Sequence, residues 1–313
     1  MTRDVLKEIE VDLIDRNPEN PRIIFRTGEL SQLTESIRKH GVQVPIAVYR
    51  EGRRFVLIDG ERRWRCSIKL NRPTIPALVQ DKPDRLSNLL LMFNIHALRE
   101  QWDLLTIAMK LPIVIGLLRT RNNREPTERE ISSETGLIAG VVRRCKLLMA
   151  LPEKHKQTIL KELQKPKPEQ KFTEDFFIEM ERSLTTVERA MPALVKHLGK
   201  ERMRETLISK FKAGTISNRV DFRQIARIAR AERVSADPVK ATKSLEKLFS
   251  DNKYSIEDAY ESSVAYAYDE RGVLTRVRGL TVQLNQFESE TVDEELQQAL
   301  EELQTIIANV LGG

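Results

Sequence analysis

The sequence contains few cysteines, and it lacks long apolar runs. It contains two cysteines, Cys66 and Cys145, too few for a disulfide framework or a zinc site of their own. No apolar run reaches the roughly 18–20 residues that span a bilayer, because a lysine, a proline and a glycine break the longest candidate, at 104–118. The start, Met1-Thr-Arg-Asp, lacks the apolar core of a signal peptide. We therefore expect a cytoplasmic protein with no membrane partner.

Basic residues outnumber acidic ones except near the end of the sequence. The net charge is +6, but residues 251–313 carry 13 acidic and 4 basic side chains, so the preceding 250 residues carry a net charge of +15. A basic segment of this length followed by an acidic end is typical of a protein that binds nucleic acid through the basic segment. A solvated basic surface is the alternative.

Hydrophobic periodicity predicts an α+β chain that is mostly helical. Up to residue 80 the pattern alternates between helices and short strands, and from about residue 84 it is helical. The segment around Pro166 and Pro168 reads as a linker, because prolines and charges cannot continue a helix. The predicted units are an α/β domain at 1–83, a helical domain at 84–163, a linker at 164–171, a helical region at 172–245 and a small α+β domain at 246–313.

The sharpest local pattern is Phe55-Val-Leu-Ile-Asp-Gly-Glu-Arg-Arg-Trp-Arg-Cys66. An apolar strand ends at a glycine, and a helix then opens with two arginines. Unpaired N–H groups at a helix N-terminus favour anions, and Arg62 and Arg63 can make bidentate contacts with phosphate. The pattern favours a phosphate site, and pairing of the arginines with Asp59 and Glu61 is the alternative.

Four motifs occur in order: Asn17-Pro-Glu-Asn-Pro-Arg22, Leu30-x-x-Leu-x-x-Ser-Ile37, Gly41-x-x-x-Pro45 and Gly60-Glu-Arg-Arg-Trp-Arg65. This set resembles the N-terminal domain of the ParB family of DNA-partition proteins, which shares its fold with the sulfiredoxins. The resemblance implies a ParB/sulfiredoxin-like domain that binds cytidine triphosphate (CTP), with the glycine–glutamate–arginine–arginine turn on the phosphates. The site residues that it implies are Arg22, Gly41, Gly60, Glu61, Arg62, Arg63 and Asn94.

The resemblance departs from the family at one motif. The family's Glu-Asn-x-Gln-Arg, whose acid and amide serve the nucleotide's magnesium, is here Phe93-Asn94-Ile95-His96-Ala97. Asn94 is retained, but a phenylalanine cannot coordinate a hard cation. Glu100 is a nearby substitute that we do not favour. We therefore expect CTP to bind and Mg²⁺ to contribute little, which leaves at most a weak CTPase.

Cysteine chemistry of the sulfiredoxin type is not expected. Sulfiredoxins carry their nucleophilic cysteine directly after the glycine of this turn, where the chain has Glu61. Cys66 lies five residues later on the predicted helix, where packing in the core is the simpler role.

A helix-turn-helix is predicted at 127–149. Thr127-Glu-Arg-Glu130 is a capping box, the helix after it stops at Gly136, and a second helix ends near Pro152. ParB proteins carry such a motif here. Apolar residues at the offsets that lock the two helices together are Ile131, Leu137, Val142 and Cys145.

The exposed positions of this motif define a candidate DNA-binding face. Arginines there can reach phosphates or guanine edges in the major groove, whereas the small residues offer little hydrogen bonding, so base reading is expected to be sparse. The candidate DNA-binding residues are Ile138, Ala139, Arg143, Arg144 and Lys146.

A second candidate DNA-binding element is a basic stripe. Arg219, Arg223 and Arg227, followed by Arg230, recur at spacings of four, four and three and would share one face of a helix. Such a face can contact phosphates. A solvated face paired with neighbouring acids is the alternative.

The last predicted domain combines a hairpin, with strands at 264–268 and 274–284, and a final helix at about 292–311. A capping box, Thr291-Val-Asp-Glu294, fixes the start of the helix. Five apolar residues then follow at alternating spacings of four and three, which is typical of a dimer seam; packing within one domain is the alternative. The candidate dimer residues are Leu296, Leu300, Leu303, Ile307 and Val310.

Together these patterns predict a nucleoid-associated homodimer that binds double-stranded DNA at a partition site of a plasmid or chromosome, with CTP as a switch and a partition ATPase as partner. The alternative is a ParB-like transcriptional regulator of a mobile element. From a different class, a nucleotide hydrolase or a nuclease on the same fold is disfavoured by Phe93 and by the lack of clustered carboxylates in the sequence. No metal site is expected.

Overall fold

The structure is a computed structural model that describes residues 5–20, 22, 24–97, 103–287 and 293–312. The chain divides into two compact units, residues 1–182 and 183–313. The fold is α+β and mostly helical, which confirms the predicted class.

A five-stranded mixed sheet opens the first unit, in the order β1-β5-β3-β4-β2. Strand β3 is central and pairs antiparallel with β4 and parallel with β5, while β1 pairs antiparallel with β5 and β2 parallel with β4. The strands are β1 (Val5–Glu10), β2 (Ile14–Asp15), β3 (Ile46–Glu51), β4 (Arg54–Asp59) and β5 (Thr74–Gln80).

Helices α1 (Thr27–His40) and α2 (Glu61–Lys69) accompany the sheet. The core of the sheet is fully apolar, with Ile46, Val48 and Ile75 at 0% exposure, and the ring of Trp64 in α2 packs against it. Helix α1 ends at Gly41, whose backbone has a φ of 72° and whose N–H donates to the Ile37 carbonyl at 2.9 Å. The predicted C-terminal glycine of this helix is therefore confirmed.

The rest of the first unit is helical: α3 (Arg85–Ala97), α4 (Leu104–Asn122), α5 (Glu128–Thr135), α6 (Ala139–Met149), α7 (Glu153–Leu163) and the start of α8 (Glu174–Ala190). Between α7 and α8, the predicted linker contains a short 3-10 turn at Lys167–Glu169.

The described part of the second unit is also helical: α9 (Pro192–Leu198), α10 (Lys200–Lys212), α11 (Phe222–Ile228), α12 (Pro238–Ser250), α13 (Ile256–Glu261), α14 (Ala265–Leu284) and α15 (Glu294–Gly312). A lysine side chain lies inside this unit. Lys210 is 2% exposed, and its ammonium donates to the carbonyl oxygens of Asp251 and Tyr254, at 2.6 Å each. These bonds satisfy two carbonyls just beyond the end of α12.

The predicted hairpin at 264–284 is wrong, since this segment is the single helix α14. Its apolar residues Val273, Val277, Leu280 and Leu284 are spaced by four, three and four, which is a helical period. Gly272 lies within this helix, and the polar segment at 269–272 is helical and does not form a turn. The C-terminal region is therefore helical in its described residues rather than α+β.

The last helix begins at Glu294, close to the predicted start. The predicted capping residue Thr291 lies outside the described residues. Among the described residues, none of the helices is both long and apolar enough to cross a bilayer.

Candidate functional site

The turn between β4 and α2 is built around Gly60. This residue has a left-handed backbone, with φ 95° and ψ 20°, and a Cβ there would lie 2.6 Å from the Cγ2 atom of Ile46. Both facts require glycine at this position. Because Ile46 is a fully buried residue of β3, the turn is fixed directly on the core of the sheet.

Two residues of the turn form internal contacts. Glu61 is 4% exposed; it accepts a 2.6 Å hydrogen bond from the Asn20 amide and pairs with Arg16 at 3.1 Å and with Arg65 at 2.7 Å. It therefore ties the loop after β2 to the start of α2.

Arg63 is held just as firmly. Its guanidinium donates to the carbonyl oxygens of Val44 and Pro45, at 2.6 and 2.8 Å, and to the carboxylate of Asp59 at 3.1 Å. These bonds join the segment before β3 to the end of β4. In this arrangement Arg63 shapes the turn.

A cluster of three arginines surrounds the start of α1. Arg22, Arg26 and Arg62 lie 3.9, 3.4 and 3.5 Å from the carboxylate of Glu29. Arg26 also pairs with Asp103, the residue before α4, at 2.7 Å. We call Arg22, Arg26 and Arg62 the arginine cluster. Its three cations share one carboxylate, and two of them, Arg22 and Arg62, were predicted from the sequence.

The cluster has the electrostatics of an anion site. Burial, together with the neighbouring charge of Arg62, lowers the pKa of Arg22, which means that cationic Arg22 would gain from a further anion. The Nε atom of Arg26 is buried and makes no hydrogen bond to the described residues. Helix α1 starts here without a side-chain cap, so its first N–H groups are available to an acceptor.

Asn94 and Phe93 lie on α3 and contact other parts of the unit. The Asn94 amide donates to the carbonyl oxygens of Leu90 and Glu134, at 2.9 and 3.1 Å, and its Oδ1 atom would lie 2.5 Å from a Cβ at Gly136. Phe93 is 0% exposed. The structure therefore places Asn94 against the turn between α5 and α6 and gives it a packing role there.

Helices α5 and α6 follow each other across a short turn, in the order predicted for the helix-turn-helix. The Glu130 N–H donates to the Thr127 hydroxyl at 3.2 Å, and the Thr127 N–H donates to the Glu130 carboxylate at 2.8 Å, which confirms the predicted capping box. Arg124, together with the bonds from Thr127, lowers the pKa of Glu130 to about 2. Gly136 follows α5 with a φ of 71°. Helix α5 therefore has a defined start at Thr127 and a defined end at Gly136.

The contacts between α5 and α6 are those expected from the sequence. The exposure of Ile131, Leu137, Val142 and Cys145 is between 0 and 5%. Burial raises the pKa of the Cys145 thiol to about 12, so this thiol is inert. Cys66 is also buried, at 2% exposure. Both cysteines belong to the core, and neither is a candidate nucleophile.

The first turns of α6 form an open basic face. Ile138, just before the helix, is 71% exposed. Arg143 and Lys146 lie 3.7 and 3.4 Å from the carboxylate of Glu128, and these long, exposed pairs cost little to exchange for phosphate. Ile138, Arg143 and Lys146 line a surface depression of about 610 Å³.

Arg144, in contrast, lies next to an acidic group that the start of α8 and the residue before α4 form together. It pairs with Asp175 in α8 at 2.5 Å. Next to it, Glu174 accepts the Leu105 N–H at 2.6 Å. Burial raises the pKa of Glu174 to about 7, with Asp103 and Asp175 adding to the rise and the Leu105 N–H and Arg144 opposing it. The sequence did not indicate this group, because α4 and α8 are far apart in the chain.

The predicted basic stripe of the second unit spans a 3-10 turn and α11. Arg219 lies in a 3-10 turn, and Arg223 lies in α11. The Arg227 guanidinium lies 5.9 and 5.5 Å from the ring centres of Tyr260 and Tyr268, and such cation–π contacts attach α14 to α11. The 3-10 turn leads directly into α11, with helical backbone at Asp221 and Phe222, and Arg223 and Arg227 lie four residues apart in that helix.

The described residues contain no group of three or more histidine, cysteine, aspartate or glutamate side chains that could hold a metal ion. Glu100 lies outside the described residues. Phe93, in the position of the family's glutamate, offers no oxygen ligand.

Comparison with known proteins gives matches over part of the chain. The family model of the ParB N-terminal domain matches residues 1–94. A probable chromosome-partitioning protein ParB of Pseudomonas putida is 33% identical over 150 residues, which are 47% of this chain and 49% of that protein. A probable chromosome-partitioning protein ParB of Helicobacter pylori is 30% identical over 156 residues, 50% of this chain and 51% of that protein.

Among solved structures, the C-terminally truncated chromosome-partitioning protein ParB from Caulobacter crescentus, complexed with CTP-γ-S, is 24% identical. The match covers 57% of this chain and 92% of that chain, with a TM-score of 0.30. The chain spans about half the length of the curated relatives that it matches. Residues 1–94 are thus similar to ParB N-terminal domains, and about half of the chain is similar to ParB partition proteins.

Proposed function

We propose that this chain is a ParB-type partition protein that binds double-stranded DNA through α5 and α6. The observation that carries the proposal is a complete helix-turn-helix in the same unit as a ParB N-terminal domain. Its capping box, left-handed turn glycine and buried contacts support the role of α6 as a recognition helix. Arg143, Lys146 and Ile138 extend from α6 and are the residues that meet DNA.

We also propose that the arginine cluster binds CTP. Arg22 and Arg62 would hold the phosphates together with the N–H groups at the start of α1, and the unpaired Nε of Arg26 would gain an acceptor. Gly60, Glu61 and Arg63 keep the adjacent turn in shape, and Gly41 ends α1. Bound CTP would supply a dense negative charge that competes with Glu29 and Asp103. Magnesium is not part of the proposal, because Phe93 cannot be a ligand.

The proposed assembly is a homodimer formed by α14 and α15. In α15, Leu296, Leu300 and Leu303 are partly exposed, and Ile307 and Val310 are 43 and 76% exposed. Helix α14 and the turn after it carry a second stripe with the same spacing: Val273, Val277, Leu280, Leu284 and Phe287, of which Val273, Val277 and Phe287 are 55, 48 and 51% exposed. Two such stripes in each chain offer a partner copy more apolar area than the last helix alone.

The proposed cellular role follows from these parts. A dimer with two recognition helices would bind a site with two half-sites on the nucleoid, and a partition ATPase would be its protein partner. A transcriptional regulator would share the DNA-binding face and lack that partner.

The DNA-binding proposal is tested by selecting bound duplexes from a randomised pool with the purified full-length chain. We expect enrichment of one motif. The variant Arg143→Gln/Lys146→Gln should bind that motif much more weakly, by about 1–3 kcal/mol for each side chain that reads a base. Lys167→Gln/Lys171→Gln removes the same charge outside the helix-turn-helix and is the matched control. A pool without enrichment, or a drop in affinity equal to that of the control, would remove α6 from the interface.

A further inference from the structure

The second unit contains a cleft of about 590 Å³ that has no role in the proposed function. It lies between the end of α8 and start of α9 on one side and the segment after α11 and the start of α12 on the other. Arg189, Arg230 and Arg233 line it, with Glu232 as the one acid among its lining residues. We call it the basic cleft.

The three guanidinium groups of the basic cleft have no acidic partner in the part of the chain that the structure describes. Within the described residues, no carboxylate lies at ion-pair distance from Arg189, Arg230 or Arg233. Arg230 donates a 3.4 Å hydrogen bond to the Thr186 hydroxyl, and all three residues are exposed. Gathering three cations without neutralising them is unfavourable, and an anionic ligand would relieve this repulsion.

The floor of the basic cleft is apolar and well packed. Leu194, Ala229 and Ala231 are 4, 5 and 1% exposed, and Met191 and Pro192 complete this side. A low-dielectric wall strengthens the field of nearby charges. Residues 183–250 also carry fifteen lysines and arginines against seven acids, so the surrounding segment attracts polyanions.

The geometry points to the basic cleft as a contact for the phosphodiester backbone of duplex DNA, separate from the helix-turn-helix. Arginine forks match phosphate oxygens in a bidentate way. No aromatic side chain is among the residues that line the cleft, so it has no platform on which an unpaired base could stack. The exposed arrangement suits a polyanion that passes across the surface. This inference rests on the proposed DNA-binding function.

The cleft includes the last member of the predicted stripe. Arg230 lines it together with Arg189, 41 residues earlier in the chain, and Arg233, three residues later, whereas Arg227 is not among the lining residues. The proposed phosphate contact therefore uses Arg230 without Arg227.

The test is the salt dependence of binding to the selected duplex by the full-length chain and two variants. Arg189→Gln/Arg233→Gln removes two cleft cations and keeps Arg230. Lys196→Gln/Arg202→Gln removes two exposed cations elsewhere in α9 and α10. Each phosphate contact contributes about 0.9 to the slope of log K against log salt. We therefore expect the cleft variant to lower the slope by about 2 and the control to leave it nearly unchanged, with both variants unfolding at the wild-type temperature.

Three outcomes would overturn the inference. If both variants change the slope equally, the cleft is not a DNA contact. If the cleft variant no longer binds inorganic phosphate but keeps the wild-type slope on DNA, the cleft takes a small phosphate ligand. If it keeps the slope and no longer binds an acidic peptide, the ligand is a protein. A wild-type chain that binds no duplex would instead defeat the proposed function itself.

Discussion

Arg144, in the second helix of the helix-turn-helix, is paired with Asp175 of α8 at 2.5 Å. The partner of a residue predicted to contact DNA is therefore a carboxylate of the same unit. A phosphate that approaches α6 must compete with Asp175 for this guanidinium.

Removing that competition should strengthen DNA binding. In Asp175→Asn the side chain keeps its size and loses its charge, so Arg144 becomes available to phosphate. We expect a several-fold gain in affinity for the selected duplex at low salt. Glu169→Gln, which removes one negative charge from the linker, is the control. Equal affinities of Asp175→Asn and the wild type would show that Arg144 does not reach DNA.

Glu174 should make the stability of the first unit depend on pH. Its pKa of about 7 lies above the usual 4.5, so the folded state binds the proton more tightly than the unfolded state. The free energy of unfolding should then fall as pH rises from about 4.5 to 7 and change little above that. Glu174→Gln keeps an oxygen for the Leu105 N–H. Its melting temperature should match the wild type at pH 4 and exceed it at pH 8; parallel profiles would contradict this assignment.

Gly60→Ala should destabilise the chain. The left-handed backbone and the 2.6 Å approach to Ile46 together predict a decrease of about 1–3 kcal/mol in the free energy of unfolding. Gly116→Ala is the matched control, since Gly116 lies within α4 and a Cβ there meets nothing within 4 Å. We expect the control to gain up to about 1 kcal/mol. Urea unfolding of both variants measures the difference.

Arg62 and Arg63 should respond differently to substitution. Arg62 makes long contacts, at 3.5 Å, with the backbone and side chain of Glu29, so Arg62→Gln should weaken CTP binding and leave the melting temperature unchanged. Arg63 makes three shorter bonds that shape the turn, so Arg63→Gln should lower both. Calorimetry with CTP and with ATP, alongside thermal unfolding, separates these effects. Absence of binding heat for every nucleotide would refute the CTP site.

The dimer should depend on the apolar stripe of α15. Leu303→Glu places a charge in the proposed contact, so it should give folded monomers that bind DNA weakly. Gln298→Glu adds the same charge on the other side of the helix and should remain dimeric. Sedimentation at several concentrations provides the measurement. A wild-type chain that is monomeric at all of them would rule out the dimer.

The sequence predicted well where short-range signals act alone. The helix-turn-helix follows from a capping box, a turn glycine and a few apolar offsets, all within 127–149, and the structure has each of them. Gly41 and Gly60 were recognisable for the same reason, since a left-handed backbone is a local requirement.

Prediction was weaker where two local signals conflict and where contacts between distant segments decide the outcome. The segment at 264–284 is rich in Val, Tyr and Thr, which favour strands, and its helical spacing of four and three carried less weight than that composition. The site arginine Arg26 was missed because its partner, Asp103, is 77 residues away. The basic cleft depends likewise on a meeting of α8 with the segment after α11, which no local pattern indicates.

The buried ammonium of Lys210 has a practical consequence for chemical labelling. Its nitrogen donates to two carbonyls beyond α12, and burial lowers its pKa. An amine-reactive reagent reaches this nitrogen only when the segment at 251–254 detaches. The rate at which Lys210 is labelled, compared with that of exposed lysines such as Lys196, would therefore report how often this part of the second unit opens in the intact protein.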